Sequence, residues 1–416
     1  MRVCVFGLGH LGSVTAACLA ARGHDVIGLD PDAEVVASLA QGAPAMLEPG
    51  LPDLLREHHP MFTTDAEVAV AGADVVWLAD DTPVDDEDAA DVGWVVTRAS
   101  ALLPLVADGT LVVVSSQLPV GSVASLERSY AGLGFACVPE NLRLGRAVDS
   151  FLNPSRVVVG TRGGQNERAR LLLAWLEDRI LWMSIEAAEL TKHALNAFLA
   201  TSVAFANEVA SICEVSNADA RDVERGLRSD PRIGEQAYLS AGPPFSGGTL
   251  ARDLEYLRRI GGEHGRSTSL FDGVVRSNAE HAMWVRRRLE GAERSVVAVW
   301  GLSYKPGTDS IRRSDAVALC AWLIERGIGV RAHDPAAREL PSDLGARMVR
   351  TADPIQAVAG ADALVVAVAW PEYRSVGASA VVASMTYPFV VDPFGVARET
   401  LGSHPGVVYA TVGAPV

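Results

Sequence analysis

Lys192 and Asn196 stand four residues apart in IEAAELTKHALNAFLATSVAFANEVASICE, a stretch without glycine or proline. On a helix that spacing makes them neighbours on one face. A polar stripe facing solvent would be the plain reading, but this stretch is largely apolar, so a lone lysine beside an asparagine is a candidate for chemistry. The second candidate is PPFSGGTLARD, residues 243–253, in which Phe245, Gly247, Gly248 and Thr249 lead to Arg252 and Asp253. It resembles a ligand loop but holds no strong nucleophile; its most reactive group is the Thr249 hydroxyl. The third is Gly7-x-Gly9-x-x-Gly12, directly after the apolar run RVCVF, with Asp30 closing the next run, DVIGLD. Glycines let the backbone turn tightly and approach a pyrophosphate, the following helix N-terminus favours its charge, and Asp30 can accept from a ribose hydroxyl. An acid there favours NAD over NADP, whose 2′-phosphate would meet a carboxylate. Lys305 and Arg312, in GLSYKPGTDSIRRS, follow a later apolar strand, where such sheets place anionic ligands. For either cation a solvated charge is the ordinary alternative.

These groups need elements to hold them. Apolar β-branched runs (RVCVF, DVIGLD, ADVVWLAD, TLVVVSS, SRVVVG) alternate with helical patterns in the first part of the chain. Continuous apolar strands between helices imply a parallel sheet covered on both faces. One long helix from about Ile185 then opens a helical middle, and strand–helix alternation resumes with SVVAVWGL, ADALVVAVAW and PFVVD. The expected fold class is α/β: two Rossmann-like doubly wound domains, 1–184 and 293–416, joined by a long central helix and a helical middle domain, 185–292.

A formal charge of −15 argues against a nucleic-acid or anionic-membrane partner. The first residues form a strand rather than a signal peptide, and no run of 18 or more apolar residues is present, so no spanning helix is expected. Cys4, Cys18, Cys137, Cys213 and Cys320 are widely spaced and odd in number, and read as buried thiols in a reducing cytoplasm, with no disulfide and no metal site.

Taken together the motifs resemble the UDP-glucose/GDP-mannose dehydrogenase family over almost the whole chain. The matching stretches are GLGHLGSVTAACLAARGHDVIGLD, EPGL, Thr82-Pro83, LPVGS, PENL, NAFLATSVAFANEVASICE, DPRIG, PPFSGGTLARD and GLSYKPGTDSIR. The resemblance implies a homodimer with NAD on the N-terminal domain, a nucleotide-sugar on the C-terminal domain and subunits joined through the central helices. Its members oxidise a sugar C6 alcohol twice, passing through a cysteine-bound thioester. By the same resemblance Lys192 and Asn196 stabilise the oxyanion on the substrate oxygen, Asp253 works in proton transfer, and Glu140 lies near the sugar and a water. Gly7, Gly9, His10, Leu11, Gly12, Asp30, Thr82, Pro83, Gln117, Arg252 and Arg312 fall to the cofactor. Leu142, Arg232 (from across the dimer), Phe245, Gly247, Gly248 and Lys305 fall to the substrate.

Several positions depart from the family pattern. Thr249 stands where the cysteine nucleophile belongs, Leu144 where a glutamate assists thioester hydrolysis, and Gln117 where a threonine contacts the cofactor. A threonine has no thiolate form, so the second oxidation loses its acyl carrier while the hydride-transfer groups remain. The expected activity is therefore one two-electron oxidation, to a ketone or an aldehyde, for which an octose of lincosamide-type antibiotic pathways is one fitting substrate. Phe394, in Asp392-Pro393-Phe394-Gly395, replaces the arginine of a turn typical of UDP-glucose enzymes, which makes GDP a candidate nucleotide. Asp80 and Asp81 replace a Val-Gly pair and should not help bind a pyrophosphate, unless they face a ribose or solvent. Two other readings are an epimerase that returns the hydride, marked by isotope exchange without NADH release, and a catalytically silent binding protein.

Overall fold

The computed structural model describes residues 1–415 except 47, 86–89, 141, 143, 144, 164, 165, 247, 291–293, 313, 338 and 339. The chain forms two compact units, Met1–Leu195 and Asn196–Val416.

In the first unit β1 (Arg2–Phe6), β2 (Asp25–Leu29), β3 (Met61–Thr63), β4 (Val75–Leu78), β5 (Leu111–Val114), β6 (Gly134–Cys137), β7 (Val157–Thr161) and β8 (Ile180–Met183) form one sheet. Its order is β3-β2-β1-β4-β5-β6-β7-β8. All neighbours pair in parallel except β6 and β7. Alternate residues of β1 feed two separate cores, Val3 and Val5 one face and Cys4 and Phe6 the other. That is why its strands read as unbroken apolar runs rather than as alternating ones. Three helices of this unit bear on the site: α1 (His10–Ala21), α2 (Val92–Leu102) and α3 (Ser122–Ser129).

A continuous helix, α4 (Ile185–Ser216), ends the first unit and begins the second. By length and composition it could cross a bilayer, which departs from the expectation of none. It also carries Glu189, Lys192, Asn196 and Asn207, and all four are at least partly buried. In the second unit α4 packs with α5 (Gly248–Glu263) and α6 (Ser269–Ala282) around Ala197, Ala200, Ala204, Leu254 and Val274. Residues 185–195 of the expected helical middle belong to the first unit, while from Asn196 onward it shares its unit with the second sheet. That sheet comprises β9 (Val296–Trp300), β10 (Gly329–His333), β11 (Val349–Arg350), β12 (Ala363–Val366), β13 (Phe389–Val391) and β14 (Val408–Ala410). Its order, β11-β10-β9-β12-β13-β14, repeats the first six positions of the other sheet, and every pair is parallel.

Candidate functional site

In the first unit the chain leaves β1 through Gly7, whose φ of +90° is open to glycine and strained for other residues. A Cβ on Gly12 would collide with the Gly7 carbonyl oxygen, so α1 can close on the loop only with glycine there. Asp30, at the end of β2, accepts from Leu8 N at 2.8 Å and Asp32 N at 3.0 Å. Strand, glycine cradle, helix and acid thus fit the adenosine half of a dinucleotide.

Asp80 and Asp81, after β4, both press on this loop: a Cβ on Gly7 would meet Asp80, and one on Gly9 would meet Asp81. Asp80 is buried and paired with Arg98 of α2 at 2.9 Å, and the same guanidinium reaches Asp30 at 3.4 Å. It lies 4.7 Å from the ring centroids of both Phe6 and Trp94. Burial pushes the Asp80 carboxyl up to about 6, against the pull of Arg98. Asp80 is therefore shielded from solvent and faces an arginine. Asp81 is exposed and lies against Gly9 at the start of α1; desolvation raises its pKa, opposed by the charge of His10 and the nearby amides of Leu11 and His10.

The other first-unit candidates form a chain of contacts. Thr82 is buried and donates to Gln117 O at 2.8 Å, while Pro83 is exposed. Gln117 Nε2 donates to Glu140 at 2.7 Å, and the other Glu140 oxygen takes Leu142 N at 2.7 Å. Lys192 Nζ lies 3.6 Å from Glu140, with both side chains mostly shielded. A cation, a carboxylate and an amide held together in this way can bind a hydroxyl and shift its proton. Two buried groups of α4 fix the lysine's turn: Glu189 accepts from Gly121 N and Val123 N, across the start of α3, and His193 bonds Leu118 O at 3.0 Å. The LPVGS stretch is therefore the socket for α4. His10 has a structural partner too, bonding at 3.0 Å to Glu48, which is buried and holds Gly145 N and Ala147 N.

In the second unit Asn196 donates to the buried Asp253. The Arg252 guanidinium lies 3.7 Å from Asp253 and is itself buried, with Nε and Nη2 lacking hydrogen-bond partners. Thr249 is exposed on the first turn of α5, one helical turn before Asp253. The loop before it is tightly held. Asn278 bonds both the N–H and the C=O of Phe245 at 2.9 Å, Asn207 takes Gly242 N at 2.9 Å, and His281 bonds Gly242 O at 2.8 Å. Lys305 is partly buried and Arg312 exposed. Arg232 is also exposed, ion-paired to Asp230 at 2.6 Å, so within one chain it reaches no candidate group. Gly247 and Leu144 lie outside the described residues.

Asp392 is buried and spent on its own turn, accepting from Ala397 N and the Tyr409 hydroxyl. Phe394 lines two clefts, one apolar with Pro243, Trp284 and Leu319, the other with Arg221, Arg374 and Arg398. All five cysteines are buried, and burial lifts the thiols of Cys4, Cys18 and Cys320 to about 12. Sequence reasoning missed Arg98, Glu189, Asn207, Asn278 and His281. Only the unpaired acids at 80 and 81 hinted that a cation had to lie nearby.

The chain matches the family models of the UDP-glucose/GDP-mannose dehydrogenase family: the NAD binding domain over residues 1–176, the central domain over 186–280 and the UDP binding domain over 298–399. It is 34% identical to the UDP-glucose 6-dehydrogenase of Pseudomonas aeruginosa, covering 100% of this chain and 98% of that one. To the UDP-glucose 6-dehydrogenase of Rhizobium meliloti it is 32% identical over the whole of both. Among solved structures it is similar to a UDP-glucose dehydrogenase from the hyperthermophilic archaeon Pyrobaculum islandicum, with a TM-score of 0.84 and 32% identity, covering 100% of this chain and 98% of that one. The chain belongs to the UDP-glucose/GDP-mannose dehydrogenase family and is an NAD-dependent oxidoreductase acting on CH–OH.

Proposed function

With that membership as the premise, we propose that this enzyme stops after one oxidation, taking a nucleotide-linked sugar alcohol to a ketone or an unhydrolysed aldehyde. One observation carries the reading: the position of the family's nucleophile is an exposed Thr249, while every thiol in the chain is buried elsewhere. A hydroxyl at the start of a helix, with no base identified beside it, is a poor acyl carrier. The groups for the first step remain. Lys192, with Glu140 and Gln117, and Asn196, with Asp253, are suited to hold the substrate hydroxyl, stabilise its developing oxyanion and take its proton. NAD, when bound, accepts the hydride; Gly7, Gly9, Gly12 and Asp30 would hold its adenosine and pyrophosphate, and Thr82 and Arg252 its nicotinamide half. A secondary alcohol such as C6 of an octose is the fitting substrate class, since its ketone cannot go further by this route. Phe394 in place of arginine favours a base other than the uracil of the named relatives, and GDP is the first to test.

The dimer belongs to the same proposal. Phe198, Phe205 and Ile212 recur every seven residues on α4 and are exposed, as is Leu270 on α6. Such a stripe suits a partner's helices, and explains how α4 passes for a membrane span on composition. Arg232 would then serve the partner's substrate. The buried thiols suit the cytoplasm.

The test incubates the protein with NAD and UDP-, GDP- and TDP-linked sugars and counts NADH per product by mass spectrometry. One NADH per ketone or aldehyde is expected. Two NADH with a carboxylate would overturn the reading, and isotope exchange at the carbinol carbon without NADH would replace it with epimerisation.

A further inference from the structure

The amides that open α1 are the groups a dinucleotide-binding loop presents to a pyrophosphate, because their N–H groups lack intrahelical partners and carry the positive end of the helix dipole. In this chain they already have an anion. Asp81 stands over the end of the loop, its Oδ2 so close to Gly9 that a Cβ there would strike it, with the His10 and Leu11 amides near enough to pull on its carboxylate. Asp80, its neighbour in sequence, is tied to Arg98 and belongs to the adenosine side. Asp81 has no guanidinium; the nearby cationic candidate is His10, whose ring is bonded to Glu48.

We propose that Asp81 is a built-in competitor for the cofactor's pyrophosphate and sets how tightly this enzyme holds NAD and NADH. Binding must swing the carboxylate away from Gly9 and the amides beyond it, and a displaced carboxylate beside the pyrophosphate adds like-charge repulsion. NAD and NADH carry the same pyrophosphate, so the competition lowers both affinities by one factor. It leaves the redox balance on the enzyme unchanged and speeds exchange of the cofactor. Uniform weakening of this kind moves KM, and raises kcat wherever release of NADH limits turnover.

The test measures binding of NAD, NADH, ADP-ribose and adenosine by calorimetry to the full-length protein, to Asp81→Gly and to the near-isosteric Asp81→Asn. Asp81→Gly should tighten NAD, NADH and ADP-ribose by a common factor of about ten, the scale of a charge at a helix N-terminus. Asp81→Asn should gain part of that factor, having lost the charge but kept an acceptor, and adenosine, which lacks the pyrophosphate, should bind as before. Unchanged or weaker binding of the three pyrophosphate ligands overturns the proposal. So does an equal gain for adenosine, which would mean that Asp81 merely obstructs the pocket. Should Asp81→Gly fail to fold, the Asn variant alone carries the same comparison.

Discussion

The two sheets repeat one strand order and use its key acid in opposite ways. Gly7 follows β1 with φ +90° and Gly301 follows β9 with φ +95°. Gly7 N bonds Leu29 O, and Gly301 N bonds His333 O. In each unit an aspartate closes the second strand and reaches over this glycine turn, Asp30 to Leu8 N and Asp334 to Leu302 N. There the likeness ends. Asp334 also accepts from Ser303 N and Oγ, Ala336 N, Ala337 N and Trp370 Nε1, and is buried. Burial alone would raise its pKa, but these amides outweigh it and hold the carboxyl below its usual range. Asp30 has two amides and Arg98, and keeps accepting capacity. Topology supplies the acid; the number of donors that reach it decides whether it serves a ligand or the fold.

The contrast can be broken most sharply at the catalytic groups. Lys192→Ala should cut kcat by about a hundredfold to ten-thousandfold, the usual range for a group moving or stabilising a proton in the transition state. Thr249→Ala should keep a substantial fraction of turnover; equal, near-total losses in steady-state assays would mean that the threonine is chemical after all. Next come the paired acids. Asp334→Ala should destabilise the protein by roughly 3 kcal/mol, since it strands several buried donors. Asp30→Ala should leave stability almost unchanged and weaken NAD by about tenfold, about one hydrogen-bonded ribose contact. If unfolding and calorimetry gave both variants the same profile, the division between ligand acid and fold acid would fail. The smallest effect is a pH slope. Asp80 has its pKa raised from 3.8 to about 6, so the folded state binds its proton more tightly than the unfolded one. Its contribution favours folding below pH 4 and is lost as pH rises through 6, an effect of about 3 kcal/mol that Asp80→Asn should flatten in urea midpoints taken across that window. The matching position of the second sheet is Val368, which packs on Gly301 and has no proton to lose.

The first sheet was legible because its strands are continuous apolar runs and its loop carries three glycines at fixed spacing. The second acid went unread although GVRAHD ends a strand as DVIGLD does, and nothing local distinguishes an acid with three donors from one with six. Arg98 sits in an unremarkable helical stretch, and its meaning comes from Asp80 and Asp30, far off in sequence. The pins on the 242–246 loop come from Asn207, Asn278 and His281, about 35 residues away on either side. Pairings at that separation leave no periodic trace. Thr249 was the reverse case: one residue type at one motif position carried most of the functional reading, and the fold added its exposure and the burial of every thiol.

Those pins have a consequence for how the protein responds to acid. Two are amides, which do not titrate, and burial lowers the basicity of the third, His281, so its ring is harder to protonate. The substrate loop is thus insulated from the proton concentration, while the cofactor loop, resting on Asp80 and Asp81, is exposed to it. Mild acidification should therefore retune the grip on NAD before it disturbs the shape that receives the sugar.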